Sequence, residues 1–363
     1  MNNDNRSIAF IVAPHDRDGG GMGRVKDNII LSPPSGWNGL IMRELITRST
    51  AGRIHSVRLM AQACIEILRA RMNGTLAFVH VNMGDRGSAV RKGFITVFSR
   101  VIGAPVFLHL HAVTMEEDIK RAPRILQPIL ILPFRVATCV IVLGERWRRW
   151  IRDDLRLSDV PVETLTNGVP VDLVDGRDHD SQRARPFTIL FLGNLIERKG
   201  ISDLIAALSN VSDAIAPWQA TFAGHGDVER YRQMADDAGI GRQSHFTGWV
   251  DTATARQLVA GADLLVLPSY HEGLPLVILE ALGLGTPVIA TPVGVISETL
   301  TDGDDIILVT PGDRTALASA IVTLARDPGL RQSLSDRGLV TFRKQFSIDA
   351  FRTNLLAIWQ RYR

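Results

Sequence analysis

Short apolar runs alternate with helix-length segments along the whole chain. IAFIVA, LAFVHV, PVFLHLH and ATCVIVL occur in the first half, and FTILFLG, WQATFAG, SHFTG, DLLVLP and TPVIAT in the second. Such runs are typical of buried strands, and strands that alternate with helices form parallel sheets. The pattern predicts an α/β fold of two doubly wound domains.

The chain length and one polar stretch predict where these domains divide. The 363 residues exceed the usual size of one hydrophobic core. The stretch VDGRDHDSQRARP, residues 174–186, has no periodicity and predicts a linker. We expect an N-terminal domain over 1–175 and a C-terminal domain over 186–345. Residues 346–363 contain an amphipathic helix with a plausible Ser347 cap, expected to dock towards the N-terminal domain.

Charge divides unevenly along the chain. Lys and Arg outnumber Asp and Glu by 23 to 15 in residues 1–165, whereas the remainder has 18 against 23. A basic half favours an anionic partner such as a phosphate, an acidic lipid or nucleic acid, although an excess of surface arginines without any function would give the same pattern.

Cys64 and Cys139 lack metal-ligand spacing, which suggests a reducing compartment. No secretory signal is visible, and the longest apolar run is interrupted by prolines and an arginine.

Two carboxylates, Glu272 and Glu280, lie in the otherwise apolar stretch SYHEGLPLVILEALGLGTPVIA. The preceding DLLVLP predicts a buried strand, so the Glu272 loop lies at a strand's carboxyl end, where ligands bind in open α/β sheets. Pro275 suits the first turn of a helix, and Glu280, further along it, can face the same crevice. The amides of Gly273 and Leu274 then form an anion site at the helix start. Alternatively, Glu272 only caps the helix and Glu280 is solvated.

A second phosphate signal occurs in FLGNLIERKG. The predicted strand FTILFLG ends in a loop that carries Arg198 and Lys199 before the next helix. Two cations at the carboxyl end of a neighbouring strand can hold a diphosphate through charge-assisted contacts. The two loops together predict a ligand that has both hydroxyl and phosphate groups.

The motif order over residues 187–313 resembles a known family. GNLIERKG, FAGHGD, FTGWV, PSYHEGLPLVILEALGLGTPVIAT and PGD follow one another as in the C-terminal domain of the retaining glycosyltransferases of family four. That family has the GT-B fold, two Rossmann-like domains facing a cleft. The resemblance implies that Glu272 and the Gly273 and Leu274 amides hold the donor sugar and phosphate, and that Glu280 binds the ribose.

Other positions near these motifs match the family less evenly. Lys199 matches the lysine that binds the donor diphosphate. Asn194 stands where the family commonly has an arginine, so either Arg198 compensates or diphosphate binding is weaker. PVGVISE, residues 292–298, lacks a second glycine that is usual in the family, which puts the geometry of this loop in question.

The first half carries a weaker form of the resemblance. GGGMGRV, from Gly19, is similar to the family's first glycine-rich loop, which implies that Gly21 and Gly23 approach the donor. A flexible surface turn is the alternative. Residues 27–74 depart from the family, and their pattern does not predict the expected helix and second strand clearly.

PVFLHLHA places His109 and His111 on the same side of a strand. An HxH pair can bind a metal in a hydrolase, but that needs further ligands at other strand ends. Both residues could instead be core histidines. By resemblance, His111 faces the donor sugar near the transfer centre, so His111 and Glu272 are the candidate catalytic residues.

Three cations crowd the start of a predicted helix in HVNMGDRGSAVRKG. Arg86, Arg91 and Lys92 lie where the helix dipole disfavours positive charge, and Ser88 is a plausible N-cap. A bound anion would relieve the repulsion, although a solvated basic face would look the same. The segment resembles bacterial exopolysaccharide glycosyltransferases, mannosyltransferases among them, that extend a polyprenyl-diphosphate-linked sugar. This implies that all four residues bind the acceptor's diphosphate.

ERWRRWIRDDL is the segment with the pattern of a membrane-surface helix. Trp147, Trp150 and Ile151 share one face with arginines around it, as in an interfacial helix. An ordinary crossover helix that packs on the sheet is the alternative. A lipid-linked acceptor would in any case bring the protein to the inner face of the cell membrane.

The resemblance implies a metal-independent, retaining hexosyltransferase without a cofactor. Its donor would be GDP-mannose or a UDP-hexose, and its acceptor a lipid-linked saccharide in exopolysaccharide or cell-surface glycan synthesis. The expected location is cytoplasmic and peripheral to the membrane, with no nucleic-acid partner. A catalytically weak GT-B scaffold of a polysaccharide assembly complex is the first alternative, and a metal-dependent hydrolase using the HxH pair is the second.

Overall fold

The chain divides into two units. The computed structural model describes residues 7–13, 21–30, 37–48, 52–171, 185–215 and 217–363. The first unit contains residues 1–168 and 348–363, and the second unit contains residues 169–347. Most of the linker predicted over 174–186 lies outside the described residues.

Six parallel strands form the sheet of the first unit, in the order β2-β1-β3-β4-β5-β6. They are β1 Ile8–Ala13, β2 Ile41–Ile46, β3 Leu76–Met83, β4 Val106–Leu110, β5 Cys139–Val142 and β6 Val162–Thr164. Strand β2 lies on one side of β1, whereas β3 to β6 follow on the other. This reversal of strand order makes the sheet doubly wound, as predicted.

The helices of the first unit are α1 Gly21–Ile30, α2 Arg53–Met72, α3 Gly87–Val101, α4 Met115–Arg121, α5 Gln127–Val136 and α6 Glu145–Arg149, which continues in a π-helical turn. Because crossovers are right-handed, α1 lies on the opposite face of the sheet from α2, α3 and α5. Arg71 Nε donates to the Ile102 carbonyl at 3.1 Å, and Arg100 Nε donates to the Val136 carbonyl at 2.8 Å. These bonds join α2 to α3 and α3 to α5, so the three helices form one layer, called here the outer layer.

The described parts of residues 27–74, which the sequence left unclear, form the end of α1, strand β2 and helix α2. Strand β2 is at the edge of the sheet and only partly buried. Its sequence IMRELI therefore tolerates two charged residues, and Glu44 pairs with the buried Lys26 at 2.9 Å. An edge strand of this kind lacks the continuous apolar run that marks a central strand.

The second unit has a parallel sheet of the same kind, in the order β12-β11-β10-β7-β8-β9. Its strands are β7 Phe187–Leu192, β8 Trp218–Ala223, β9 Ser244–Gly248, β10 Leu264–Leu267, β11 Val288–Ala290 and β12 Ile307–Leu308. Its helices are α7 Ile201–Val211, α8 Val228–Asp237, α9 Thr252–Gly261, α10 Leu276–Gly283, α11 Ile296–Thr299, α12 Arg314–Arg326 and α13 Pro328–Thr341. The strand order reverses between β7 and β10, which is where such sheets bind ligands.

The last helix, α14 Ile348–Tyr362, belongs to the first unit. Its Trp359 packs against Phe78 and Trp37, with ring centroids 4.9 and 5.0 Å away. Arg361 and Tyr362 both contact Glu163, at 2.8 and 2.6 Å. None of the helices in the described part of the chain has the length and hydrophobicity needed to span a bilayer.

Candidate active site

Two of the predicted ligand loops follow the two strands at the reversal of the second unit. The loop in GNLIERKG follows β7, the loop SYHEGL follows β10, and these strands are hydrogen-bonded neighbours. Gly200, at a φ of 70°, lets the loops touch, because a Cβ there would lie 2.0 Å from the Pro268 carbonyl oxygen. The Tyr270 amide also donates to the Arg198 carbonyl at 2.9 Å. The two loops therefore form one continuous surface.

An ion pair joins these loops through their side chains. Lys199 Nζ donates to Glu272 Oε1, and Arg198 Nη1 lies 3.8 Å from Glu272 Oε2. The Lys199 and Glu272 side chains are only 13% and 9% exposed, so solvent screens their attraction weakly. A carboxylate that can accept from hydroxyl groups and an ammonium that can bind phosphate thus lie in contact at the reversal.

Glu280 lies inside α10, where it is only 2% exposed. The alternative of a solvated Glu280 is therefore wrong. The helix begins at Leu276, directly after Pro275, and most of its other residues are buried and apolar. A buried carboxylate requires polar partners to offset its lost hydration. The structure thus places Glu280 in the interior of the second unit, on the helix that follows the Glu272 loop.

Gly294 supports the Glu272 loop from the segment that follows β11. Its φ is 65°, and a Cβ there would lie 2.1 Å from the Glu272 carbonyl oxygen. The Val295 amide donates to the Gly273 carbonyl at 3.1 Å. The second glycine that PVGVISE lacks is not needed for this contact.

A charged network that the sequence analysis missed anchors the same loop. The Tyr270 hydroxyl donates to Asp203 Oδ2 at 2.8 Å, and Arg314 Nε donates to Asp203 Oδ1 at 2.8 Å. Asp203 is buried in α7, and Arg314 begins α12, so the network ties the loop SYHEGL to two helices. One signal was present, because Arg314 directly follows the motif PGD, whose Asp313 caps α12.

The rings of three histidines, called here the histidine cluster, contact one another in the first unit. The ring of His111, just after β4, lies 4.0 Å from that of His109, which lies 5.4 Å from that of His80. His111 Nε2 donates to Asn82 Oδ1 at 3.1 Å. Trp359 of α14 donates to His80 Nδ1 at 3.2 Å. The C-terminal helix therefore supports the histidine cluster at the end opposite His111.

All three imidazoles are neutral near pH 7. Burial lowers the pKa of His80 to about 3 and that of His111 to about 3, and a positive charge on His80 or Lys92 lowers the pKa of His111 further. Burial also lowers the pKa of His109 well below its usual value. His111 can therefore offer a neutral hydrogen bond. Within the described ranges, no group of three or more His, Cys, Asp or Glu side chains is placed to hold a metal ion.

The four predicted acceptor residues surround the start of α3 at different depths. Arg86 is exposed at a φ of 51°, whereas Lys92 is buried at 1% exposure. Burial and the charge of Arg91 lower the pKa of Lys92 to about 7. Ser88 is not the N-cap as predicted, because α3 already begins at Gly87 and the Ser88 hydroxyl accepts from the Gly84 amide at 3.3 Å. A wholly solvated basic face is wrong for Lys92.

Residues 186–327 match the family model of the glycosyl transferases group 1. This segment belongs to that family. It covers β7 to α12 of the second unit, and it includes both loops at the strand reversal.

Proteins similar to this chain include a phosphatidyl-myo-inositol mannosyltransferase of Mycobacterium leprae (strain TN). That protein is 33% identical over 207 residues, which are 56% of this chain and 54% of the relative. The chain spans about half the length of the first two curated relatives it matches.

Two solved structures have the same fold over nearly the whole chain. A sucrose-phosphate synthase from Thermosynechococcus elongatus matches with a TM-score of 0.79 at 20% identity, covering 98% of this chain and 99% of that one. Anabaena HepE in complex with UDP matches with a TM-score of 0.75 at 18% identity, covering 98% and 100%. The predicted GT-B fold class, with two doubly wound α/β domains, is confirmed.

The other predicted donor residues are Asn194 and Arg198 in the second unit and Gly21 and Gly23 in the first unit. Asn194 is exposed, and its carbonyl accepts from the Ile196 amide at 3.0 Å. Arg198 instead reaches towards Glu272, so the guanidinium near the carboxylate comes from this position. Gly21 and Gly23 belong to the first turn of α1 in the first unit. Gly19 and Gly20 of the same run lie outside the described residues.

The tryptophan-rich segment does not form a membrane-surface helix. Trp147 and Trp150 are each 3% exposed, and Ile151 is fully buried. The two indole rings pack edge to face with centroids 5.4 Å apart, and Trp150 also packs edge to face with Phe134 at 5.8 Å. The interfacial interpretation is wrong, because the apolar face of this crossover helix is already covered.

We expect the histidine cluster to make the protein sensitive to acid. Between about pH 6.5 and about pH 3 the unfolded chain binds protons at His80 and His111, whereas the folded chain does not, and the folded chain also keeps His109 neutral well below its usual pKa. The free energy of unfolding should therefore fall by about 1.4 kcal/mol per pH unit for each histidine.

His109→Leu removes a ring whose nitrogens have no hydrogen-bond partner in the described part of the chain. Urea unfolding at about pH 7 and about pH 5 should show a shallower acid-induced loss for this variant. Equal losses in His109→Leu, wild type and the exposed-site control His245→Leu would contradict this expectation.

Proposed function

We propose that this chain is a retaining, metal-independent glycosyltransferase. It moves a hexose from GDP-mannose or a UDP-hexose to a lipid-linked saccharide in exopolysaccharide or cell-surface glycan synthesis. The observation that carries the proposal is the Lys199–Glu272 ion pair, flanked by Arg198, at the strand reversal of the second unit. A sugar joined to a diphosphate needs one protein group that accepts hydrogen bonds from its hydroxyl groups and another that donates to its phosphates. Few other ligands need both groups at one point.

The relatives support the choice of donor and acceptor. The name of the mycobacterial relative describes mannosyl transfer to a phosphatidyl-inositol, and HepE was solved with bound UDP. A nucleoside-diphosphate sugar and a lipid-linked acceptor are the corresponding choices for this chain.

On the donor side, the second unit supplies preset charge. As the donor bond breaks, negative charge builds on the departing diphosphate. Lys199 and Arg198 stabilise that charge without rearranging, together with the start of α10 and the Gly273 and Leu274 amides. Glu272 orients the sugar hydroxyl groups, Glu280 binds the ribose, and Asn194 contributes a neutral donor.

On the acceptor side, the first unit supplies neutral and cationic groups. His111 faces the donor sugar near the transfer centre and offers it a hydrogen bond from a neutral imidazole. Gly21 and Gly23 allow the backbone to approach the donor closely. Arg86, Ser88, Arg91 and Lys92 bind the diphosphate of a polyprenyl-linked acceptor. The acceptor hydroxyl enters on the face that the diphosphate leaves, which retains the anomeric configuration. The enzyme works in the cytoplasm, against the inner face of the membrane.

A thermal-shift panel of nucleoside diphosphates tests donor binding. We expect GDP or UDP to raise the Tm of the wild type, because a ligand stabilises the state that binds it. Glu280→Gln should weaken that nucleotide about tenfold to a hundredfold, since a hydrogen bond to a charged group contributes about 1.5–3 kcal/mol. The exposed-site control Glu229→Gln should bind as the wild type does. A panel in which no diphosphate changes the Tm would contradict the proposal.

Transfer itself is measured with labelled donors and a short-chain polyprenyl-diphosphate sugar. We expect an α-linked product from an α-linked donor, formed at the same rate in the presence of a chelator. Nucleotide binding with neither transfer nor donor hydrolysis would support the scaffold alternative instead. An inverted anomer would contradict the retaining mechanism.

A further inference from the structure

Helix α2 of the outer layer carries an exposed apolar stripe. Its large apolar residues recur at intervals of three, eight, three and four, which keeps them on one helical face: Ile54, Val57, Ile65, Leu68 and Met72. All five are exposed, Ile54 at 76% and Met72 at 77%. An amphipathic helix normally buries such a stripe against its own domain. Here the stripe faces solvent.

Helix α3 repeats this arrangement beside α2. Val90, Phe94 and Val101 lie at intervals of four and seven on one face, and Val101 is 80% exposed. The opposite face of α3, which includes Ile95 and Lys92, is buried. The helix is therefore covered on its inner side and apolar on its outer side.

Helix α5 and the residue pair before it complete the layer. Ile125, Leu126, Ile129 and Leu132 are exposed, Ile125 at 81%, although α5 is almost wholly apolar in sequence. The helix is held through its other side, where a Cβ on Gly93 of α3 would lie 2.9 Å from the ring of Pro133. Nothing in the described part of the chain covers these four side chains.

The three stripes form one surface rather than scattered exposures. Twelve of the sixteen exposed large hydrophobic side chains in the described ranges lie in the outer layer and its Ile125–Leu126 edge. The helices are neighbours, tied at their carboxyl ends by the Arg71 and Arg100 hydrogen bonds. An apolar area gathered in this way on one side of a protein marks an interaction surface.

The charge of this surface identifies its partner. Residues 53–72, 87–101 and 119–136 contain eleven Lys and Arg but one acidic residue, Glu66. Lys120 and Arg121 pair with glutamates of α4, and Lys92 is buried. The other cations include four exposed arginines that form no ion pair with the described part of the chain: Arg58, Arg69, Arg124 and Arg135.

We propose that the outer layer docks on an anionic phospholipid bilayer. The apolar stripes enter the region between head groups, and the arginines contact lipid phosphates. A second copy of this chain is a poor occupant, because two such surfaces would bring like charges together. The docking does not depend on the proposed sugar transfer, so lipid binding can succeed or fail separately from activity.

Vesicle co-sedimentation of the full chain tests the proposal. The wild type should sediment with vesicles of equal parts phosphatidylcholine and phosphatidylglycerol. Vesicles of phosphatidylcholine alone should bind it at least about tenfold more weakly, and added salt should release it from the anionic vesicles. Phe94→Ser combined with Ile129→Ser should weaken binding about a hundredfold, about tenfold for each lost apolar contact. Arg124→Gln with Arg135→Gln should weaken it about fivefold for each arginine.

The matched control is Val340→Ser, which removes an equally exposed apolar residue from α13 of the second unit. It should sediment as the wild type does, and all variants should keep the wild-type circular dichroism and Tm. The proposal is overturned if the wild type does not sediment with anionic vesicles, or if Val340→Ser loses as much vesicle binding as the outer-layer variants. It is also overturned if light scattering shows a dimer that Phe94→Ser dissociates, since the surface would then join two copies.

Discussion

Lys199→Ala should lower kcat for sugar transfer by about 10² to 10³. The ammonium of Lys199 is preset by Glu272 at the strand reversal, where charge develops on the departing diphosphate. Its stabilising effect is larger in the transition state than in the bound donor, so kcat falls more than KM rises. Steady-state kinetics with a saturating acceptor separate the two parameters.

The matched control for this change is Lys344→Ala, which removes an exposed lysine from the same unit. It should leave kcat unchanged. Because Lys199→Ala also leaves the largely buried Glu272 without its lysine partner, Tm is measured in parallel. A loss in kcat below tenfold with an unchanged Tm would contradict the assigned role of Lys199.

Gly294→Ala should lower kcat/KM by about 10², because a displacement of about 1 Å in a catalytic group can have that effect. The added Cβ would lie 2.1 Å from the Glu272 carbonyl oxygen and 2.3 Å from that of Gly273, so the loop has to move. The positive φ of 65° adds a backbone strain of about 1 kcal/mol. Kinetics and Tm together measure the two effects.

Gly303→Ala is the control that adds backbone strain at a positive φ without displacing the Glu272 loop. Gly303 has a φ of 73°, close to that of Gly294, but a Cβ there meets nothing within 4 Å. The two variants should lose similar stability from the backbone, whereas only Gly294→Ala should lose transfer activity. Equal activity in both would show that the position of the Glu272 loop does not matter for catalysis.

The contact between Lys199 and Glu272 could be anticipated from local patterns. Each residue follows a strongly apolar strand, and the carboxyl ends of neighbouring parallel strands share one edge of a sheet. The sequence analysis did not establish that β7 and β10 are neighbours, since strand order depends on contacts between distant segments. The Asp203 network was missed for the same reason, because Asp203 is separated along the chain by 67 residues from Tyr270 and by 111 residues from Arg314.

Burial was the feature that the sequence predicted least well. Lys92 looked like part of a solvated or ligand-bound basic face, yet it is covered. Trp147 and Trp150 looked like a membrane-facing pair, yet they pack in the interior, whereas the apolar residues of α2, α3 and α5 remain exposed. Helical periodicity shows that a helix has an apolar face, but the face is covered or exposed according to neighbours that periodicity does not specify.

The most direct test of the central claim is calorimetric titration of the nucleotide selected by the thermal-shift panel. The wild type, Lys199→Ala, Glu272→Gln and the double variant are compared. The diphosphate lacks the sugar, so we expect Lys199→Ala to weaken binding about tenfold to a hundredfold, as for the loss of a charged hydrogen bond. Glu272→Gln should have a smaller effect on the diphosphate than on the intact sugar donor. Equal affinity of the wild type and Lys199→Ala for the nucleoside diphosphate would contradict the claim that the strand reversal of the second unit binds the donor.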